Sequence, residues 1–369
     1  MIINRSKMRA STLTGSNPQE ANSSMQAIVI HAARDLRIED RDCPGPGSQE
    51  VQIQLATGGI CGSDLHYFNH GGFGDIRLKE PMILGHEVSG YVTEVGEGVE
   101  NLSSGQLVAV SPSRPCRSCS YCQEGKHNHC LNMRFYGSAM PFPHIQGAFQ
   151  QILIADASQC APAEGLTTGE AAMAEPLAVA LHACHQAGNL LGKKVLITGC
   201  GPIGALCAIT ARRAGAAEIT GTDLSTFTLD KAIEVGADRA LNVASDPGAL
   251  IPFCDGKGYF DVLFECTGNQ IALANAIAAM RPGGIIVQLG LGGDMELPVQ
   301  AITAKELQLR GAFRFHEEFF SGVHQMKNRQ IDVKPLITHT LPLIDATAAF
   351  ELASDRTQTM KAHLDFSAA

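Results

Sequence analysis

No surplus of basic charge marks this chain: 28 Lys+Arg stand against 37 Asp+Glu, a formal net charge of −9 over 369 residues, and lysines and arginines nowhere cluster into a run. A nucleic-acid surface needs such a patch to neutralise phosphates, so nucleic acid is not an expected partner. Long apolar runs are missing too. The most apolar uncharged stretch, Val195 to Ala211, is interrupted by Gly199, Gly201, Pro202 and Gly204 and stops at Arg212. That falls short of the roughly 20 apolar residues that span a bilayer. The N-terminus lacks the apolar segment and small-residue site of a secretion signal. Residues 1–24 are polar, with Arg5, Lys7 and Arg9, and are expected to form a disordered tail. A cytoplasmic location is the expectation. Short repeats and low-complexity linkers are also absent, and 45% hydrophobic with 18% charged residues suits an ordinary globular chain. At roughly 150 residues per domain, the length allows two domains or one interrupted by another.

Cysteine, by contrast, is plentiful: twelve residues, four of them bunched at Cys116, Cys119, Cys122 and Cys130. In a long chain without a secretion signal this spacing points to metal rather than disulfides. Four thiolates can converge on one tetrahedral zinc and close its shell, so the site is structural. His127 and His129 lie beside Cys130 but are weaker donors where four thiolates are at hand. Seven of the other eight cysteines read as small buried hydrophobes. Cys61 differs, because it lies in the glycine-rich run Gly58-Gly59-Ile60-Cys61-Gly62-Ser63-Asp64-Leu65-His66, and Gly85-His86-Glu87 follows 25 residues after it. One thiolate, one imidazole and one carboxylate leave zinc an open coordination position, the mark of a catalytic site.

The second half carries a different signature. Lys193 to Gly199 reads as a buried strand leading into Gly199-Cys200-Gly201-Pro202-Ile203-Gly204 and an alanine-rich helix; a second strand, Glu218 to Thr222, ends in Asp223. This strand–glycine–helix context lets backbone amides at a helix N-terminus cradle a pyrophosphate, while the acid takes the adenosine ribose hydroxyls. Gly199, Gly201, Pro202, Ile203, Gly204 and Asp223 are therefore the candidate cofactor residues. Residues 224–228 offer no cation for a 2′-phosphate, which favours NAD over NADP. Further strand-like runs at 239–243, 260–267, 284–290 and 307–313 give six strands for a doubly wound parallel sheet. The region before residue 175 holds short alternating runs at 25–31, 51–56, 87–95 and 107–111, which suggest a β-rich, barrel-like domain. A helix is expected over 171–187, and a further run at 338–343 suggests that the chain returns to pack on the first domain.

Taken together, these motifs resemble the zinc-containing medium-chain alcohol and polyol dehydrogenases from about Gln26 to the C-terminus. Cys61 to Tyr67, Gly85 to Gly90, Glu175 to His182 and Gly311 to Phe315 are similar to the sorbitol dehydrogenase branch. Met133-Arg134-Phe135-Tyr136-Gly137-Ser138-Ala139-Met140, with Pro143-His144 and Gln186 to Gly188, is closer to the bacterial L-idonate 5-dehydrogenases.

The resemblance implies an α/β fold: a GroES-like catalytic domain (25–178 and 317–369) and a Rossmann cofactor domain (179–316), assembled as dimers or tetramers. It implies one catalytic and one structural zinc per chain, with NAD. Cys61 and His86 would hold the catalytic zinc, with Glu87 or Glu175 as the third ligand. Oxidation of L-idonate at C5 to 5-keto-D-gluconate is the implied reaction; a sorbitol or xylitol dehydrogenase and a non-catalytic relative are the alternatives. Ser63 and His66 are placed to relay the alcohol proton, and Asp64 to orient a metal ligand. Tyr67 and Phe135 are candidates for the substrate wall, and Arg134 and Arg314 for gripping an aldonate carboxylate.

Overall fold

The computed structural model of the chain describes residues 24–367. The expected tail, apart from Ser24, lies outside the described residues; Ser24 already opens the first strand, Ser24–Ala32.

Two large sheets organise the molecule. In the first, strands run in the order Cys160–Pro162, Leu107–Val110, Glu87–Val95, Glu50–Gly59, Lys361–Asp365 and Ile337–Pro342, with Ile152–Asp156 also pairing to Glu50–Gly59. Its hydrophobic residues alternate inward, as the Glu50–Gly59 strand shows with Val51, Ile53 and Leu55 fully buried. The second sheet is parallel, six-stranded and ordered Arg239–Asn242, Glu218–Asp223, Lys194–Thr198, Phe260–Glu265, Met280–Gln288 and Gln308–Gly311. Chain order 3-2-1-4-5-6 is that of a doubly wound dinucleotide-binding sheet, with the switch point beside Lys194–Thr198. Val195, Leu196 and Ile197 are buried because helices cover both faces.

The expected helix over 171–187 is two helices, Thr168–Ala172 and Ala174–Ala187, joined at Met173. Pro176 has no N–H to donate back to Ala172, which is tolerated only in a first turn, so the longer helix starts afresh just before it. That helix is the hub. Leu107 and Ala161 of the first sheet, Val195 and Ile197 of the second, and Phe315 and Phe319 belong to the one buried cluster that it shares. We propose the two-domain division at 178 and 316 with this helix as the common wall, since the returning segment 337–365 completes the first sheet.

Candidate metal and cofactor site

The strand Glu50–Gly59 delivers Cys61 to the N-cap of helix Gly62–His70. Asp64, fully buried, joins the two metal-bearing loops: one carboxylate oxygen accepts from Cys61 N (3.0 Å), the other from Gly85 N (3.1 Å) and faces His86 Nδ1 at 3.6 Å. Burial raises the Asp64 pKa, and the His86 ring opposes that rise. His86 is pushed down by burial, yet Asp64 and Cys61 outweigh this and hold it well above the ordinary histidine range.

Donor atoms of Cys61, His86 and Glu87 lie within 4.8 Å of one another. Zinc bonds of about 2.0–2.3 Å place tetrahedral donors roughly 3.3–3.8 Å apart, so small side-chain shifts would close this set on a zinc ion. His86 Nδ1 is also a buried ring nitrogen without a hydrogen bond. The donor chemistry and spacing therefore fit zinc. Gly59 is required here, because a Cβ at that position would run into the Glu87 carboxylate.

Glu87 has a partner the sequence did not reveal. Lys361 Nζ donates to both its oxygens (2.8 and 2.7 Å) and to Ile60 O (3.3 Å), with both side chains buried. Burial alone would raise the Glu87 pKa; the Lys361 charge reverses this and lowers it. A carboxylate has about four lone-pair sites, so this pairing leaves acceptor capacity for a metal. Glu175, in the first turn of helix Ala174–Ala187, lies outside the close triplet. Burial pushes it up to about 8, with His86 pulling the other way. The two candidate acids are thus one ion-paired carboxylate inside the donor triplet and one buried acid beside it.

Ser63 Oγ lies 3.4 Å from His86 Nε2. His66 follows one turn later on the same helix, exposed, with its ring 5.5 Å from Phe73. Desolvation where it packs, and then His70, lower its pKa. Phe135 packs on His86 at 5.6 Å, and the Arg314 guanidinium sits over Phe135 at 4.5 Å. Burial lowers the Arg314 pKa, whereas Glu175 and Tyr67 raise it, so these side chains share one field. The Tyr67 hydroxyl accepts from Ala139 N (3.1 Å), which fixes it as part of the wall.

Arg314 itself adopts φ 56°, left-handed backbone that a non-glycine residue holds only when its neighbours impose it. Asn128 donates to Phe313 O (3.1 Å), Phe315 is buried against Phe319, and Glu318 accepts from His316 N (2.9 Å). Glu318 also pairs with His182 and His185 of the helix carrying Glu175, each at 2.9 Å. Burial would raise its pKa; the His182 bond and the His316 amide bring it far below the carboxylate range.

Arg134 is exposed on the short strand Arg134–Phe135, where successive side chains point to opposite faces; Phe135 faces His86, so Arg134 points away from the metal donors.

Cys116, Cys119, Cys122 and Cys130 also bring their sulfurs within 4.8 Å of one another. Cys116 N and Asn132 N donate to Cys130 Sγ (3.1 and 3.4 Å), and the Ser118 hydroxyl and Asn132 amide donate to Cys116 Sγ. The Ser118 backbone N–H and the Asn132 amide bring the Cys116 thiol down to about 5, whereas burial and neighbouring thiols push Cys122 up to about 12. Such a cluster fits a closed zinc site. His127 and His129 instead pack on the Arg314 segment: His127 stacks on His316 at 3.9 Å and His129 lies 6.3 Å from Phe313.

The glycine turn also takes the expected form. Helix Pro202–Arg213 starts at Gly201, with Pro202 in its first turn and Ile203 next. A Cβ at Gly204 would collide with Gly199 O, whereas one at Gly201 would enter open space, the room a pyrophosphate needs. Asp223 accepts from Cys200 N (2.7 Å), Leu224 N (2.7 Å) and Ser225 N (3.0 Å), which pins its carboxylate at the cradle. The turn therefore fits a dinucleotide.

Sequence reasoning missed Lys361, Glu318 and Arg356. Arg356 lies in the fields of Cys61, Asp223 and Glu87, a cation at the seam between metal donors and cradle. Lys361 gave no signal: alternation in Met360 to Leu364 puts Met360, Ala362 and Leu364 on one face and Lys361 and His363 on the other, polar one, yet both of these are buried.

Residues 47–165 match the alcohol dehydrogenase GroES-like domain and residues 202–328 the zinc-binding dehydrogenase family. The L-idonate 5-dehydrogenase (NAD(P)(+)) of Escherichia coli K12 is 43% identical over 316 residues, 85% of this chain and 91% of that protein. Sorbitol dehydrogenase of Gallus gallus is 38% identical over 330 residues, covering 88% and 92%. The solved structure of the Escherichia coli L-idonate 5-dehydrogenase superposes with a TM-score of 0.86 at 40% identity, covering 93% of this chain and 98% of that one. The chain belongs to the zinc-binding dehydrogenases of the alcohol dehydrogenase family, with a GroES-like domain and a Rossmann-like cofactor domain.

Proposed function

We propose that the protein oxidises the C5 alcohol of L-idonate to 5-keto-D-gluconate, transferring hydride to NAD and releasing a proton. The observation that carries the substrate class is the 43% identity to the L-idonate 5-dehydrogenase over 85% of the chain, and the Arg314 guanidinium, held over Phe135, which itself packs on the metal donor His86, is compatible with it. This sets a cation one aromatic ring away from His86, suited to a substrate with an alcohol at one place and a carboxylate at another. The L-idonate 5-dehydrogenase relative supports the same reading.

Zinc bound by Cys61, His86 and Glu87 would polarise the substrate hydroxyl and lower its pKa, and NAD in the glycine cradle would accept the hydride. The chain's own residues do the rest. Ser63, beside His86, takes the hydroxyl proton as it gives up its own, and His66 at the exposed end of the helix takes up the released proton and passes it to water; its lowered pKa keeps it neutral near pH 7. Asp64 fixes the Cys61 and Gly85 loops, and Tyr67 and Phe135 wall the substrate. Arg314 holds the carboxylate, and Asp223 selects the unphosphorylated ribose. We also propose a cytoplasmic homo-oligomer, dimer or tetramer, joined at the outer strand Gln308–Gly311, which ends the parallel sheet and exposes Leu309. No helix among the described residues is long and apolar enough to cross a membrane.

A panel of L-idonate, sorbitol, xylitol and L-threonine with NAD tests the reading. At least tenfold higher kcat/KM for L-idonate than for sorbitol is expected, with Arg314→Ala erasing most of the difference. A tenfold preference for sorbitol or xylitol would make the protein a neutral-polyol dehydrogenase.

A further inference from the structure

Arg134, turned away from the metal donors, lies directly opposite Arg114 on the two-stranded ribbon Ser113–Arg114/Arg134–Phe135. Like charges facing each other across a ladder repel. Among the described residues, Arg134 has no hydrogen-bonding or ionic partner, and Arg114 reaches Glu50 and Asp156 only at 3.5 Å each. Both arginines line a cavity of about 700 Å³, together with Arg117, whose guanidinium bonds the Ser158 hydroxyl. Asp156 is the one acid of that lining, and it already accepts from Ser158 N (3.0 Å). The three guanidiniums thus meet two carboxylates, Asp156 and Glu50, both on Arg114, which leaves an excess of positive charge in a chain whose net charge is −9.

Arg114 is shared with Glu50 and Asp156, and Arg117 is bonded to Ser158, but among the described residues Arg134 holds no acid, so its donors stay open to an acceptor-rich guest. Phe315 and Phe320 supply an apolar side to the same cavity.

We propose that this cavity is a second anion site, separate from the dinucleotide cradle, which binds a phosphate monoester of a small sugar or related metabolite. Guanidinium forks match phosphate oxygens in pairs, and the volume admits a sugar-sized body beside Phe320. Phe315 and His316 directly follow Arg314, so occupancy bears on the loop that grips the substrate. That consequence rests on the proposed role of Arg314; binding itself does not.

The test uses the full chain saturated with NAD, so that the cradle is filled, at constant ionic strength. Glucose 6-phosphate is expected to raise Tm and glucose to leave it unchanged. Arg134→Gln and Arg117→Gln are each expected to weaken glucose 6-phosphate binding at least tenfold in calorimetry. Hydrogen exchange of wild type, which needs no variant to fold, should slow in 111–134 and not in 199–223. Equal affinity for inorganic phosphate would support the site and make the free ion its ligand. No response to either phosphate, an undiminished response in both variants, or protection confined to 199–223 would overturn the proposal. So would an unresponsive wild type whose Arg134→Gln variant alters only the sedimentation coefficient, which would make the cavity a subunit contact. Loss of L-idonate preference in Arg314→Ala with unchanged phosphate binding separates this proposal from the substrate reading.

Discussion

Replacing Lys361 by methionine keeps the length and apolar stem of the side chain but leaves the Glu87 carboxylate buried with no ammonium. Lys361 is 3% and Glu87 1% exposed at the side chain, and the ammonium spans both carboxylate oxygens at 2.8 and 2.7 Å. Removing one partner of such a pair costs about 3–5 kcal/mol, mostly as the penalty of an uncompensated buried charge. At roughly 2–4 °C per kcal/mol for a cooperative unit of 150–250 residues, the loss is on the order of 10 °C in Tm. A divalent cation on the same carboxylate would supply most of the missing compensation. The variant should therefore lose on the order of 10 °C relative to wild type when both are zinc-free, and less than half of that when both are zinc-loaded. Lys361→Met combined with Glu87→Gln should recover stability in the zinc-free state, because neither charge remains. Differential scanning fluorimetry of the variants in both metal states decides the matter. Equal losses with and without zinc would refute the claim that Glu87 faces the metal, and a zinc-free loss under about 2 °C would refute the buried pair.

Three more outcomes follow from the same geometry. Glu87→Gln should lower zinc content at the catalytic site, whereas Glu175→Gln should retain zinc and lose kcat; the reverse pattern, read by metal analysis and steady-state kinetics, would make Glu175 the third ligand. Burial, with Lys361 adding to it, lowers the His363 pKa to about 4 from 6.5. The unfolded chain takes up a proton below pH 6.5 that the folded one refuses, so stability present above pH 6.5 is lost as pH falls toward 4, by about 3 kcal/mol. His363→Gln should flatten the Tm–pH curve in that window, and parallel curves would contradict this. Glu318→Ala should raise KM for L-idonate roughly tenfold with little change in kcat, and Glu318→Gln should do so less, since it can still accept from the His316 amide; an unchanged KM in both would remove Glu318 as the residue that positions Arg314.

Both donor clusters were legible because their residues sit close in sequence: the four-cysteine lobe spans 116–130, and Cys61 and His86 flank one helix and a short loop. The parallel strands were legible for a different reason. Burial on both faces leaves apolar runs such as Val195 to Ile197, with edges that erred by a few residues where glycine and proline lie inside the strand, as in Met280–Gln288. Asp35–Asp42 stayed hidden because its residues are half-exposed and mostly charged, so no alternation marks it. Lys361–Asp365 was missed too, and with it the Glu87 partner, 274 positions away along the chain. The orientation of Arg134 was not legible, because its motif carries an aromatic and a cation side by side, and sequence cannot tell which of two neighbours in a strand turns toward His86. Glu318 and its histidines join helices whose packing no local pattern encodes.

The most direct test of the open metal centre is zinc content per chain, titrated against activity during mild chelation. Two zinc ions are predicted, with activity falling in step with loss of one from the Cys61–His86–Glu87 site while the four-cysteine site keeps its own. Full activity in a preparation holding only the four-cysteine zinc would contradict it.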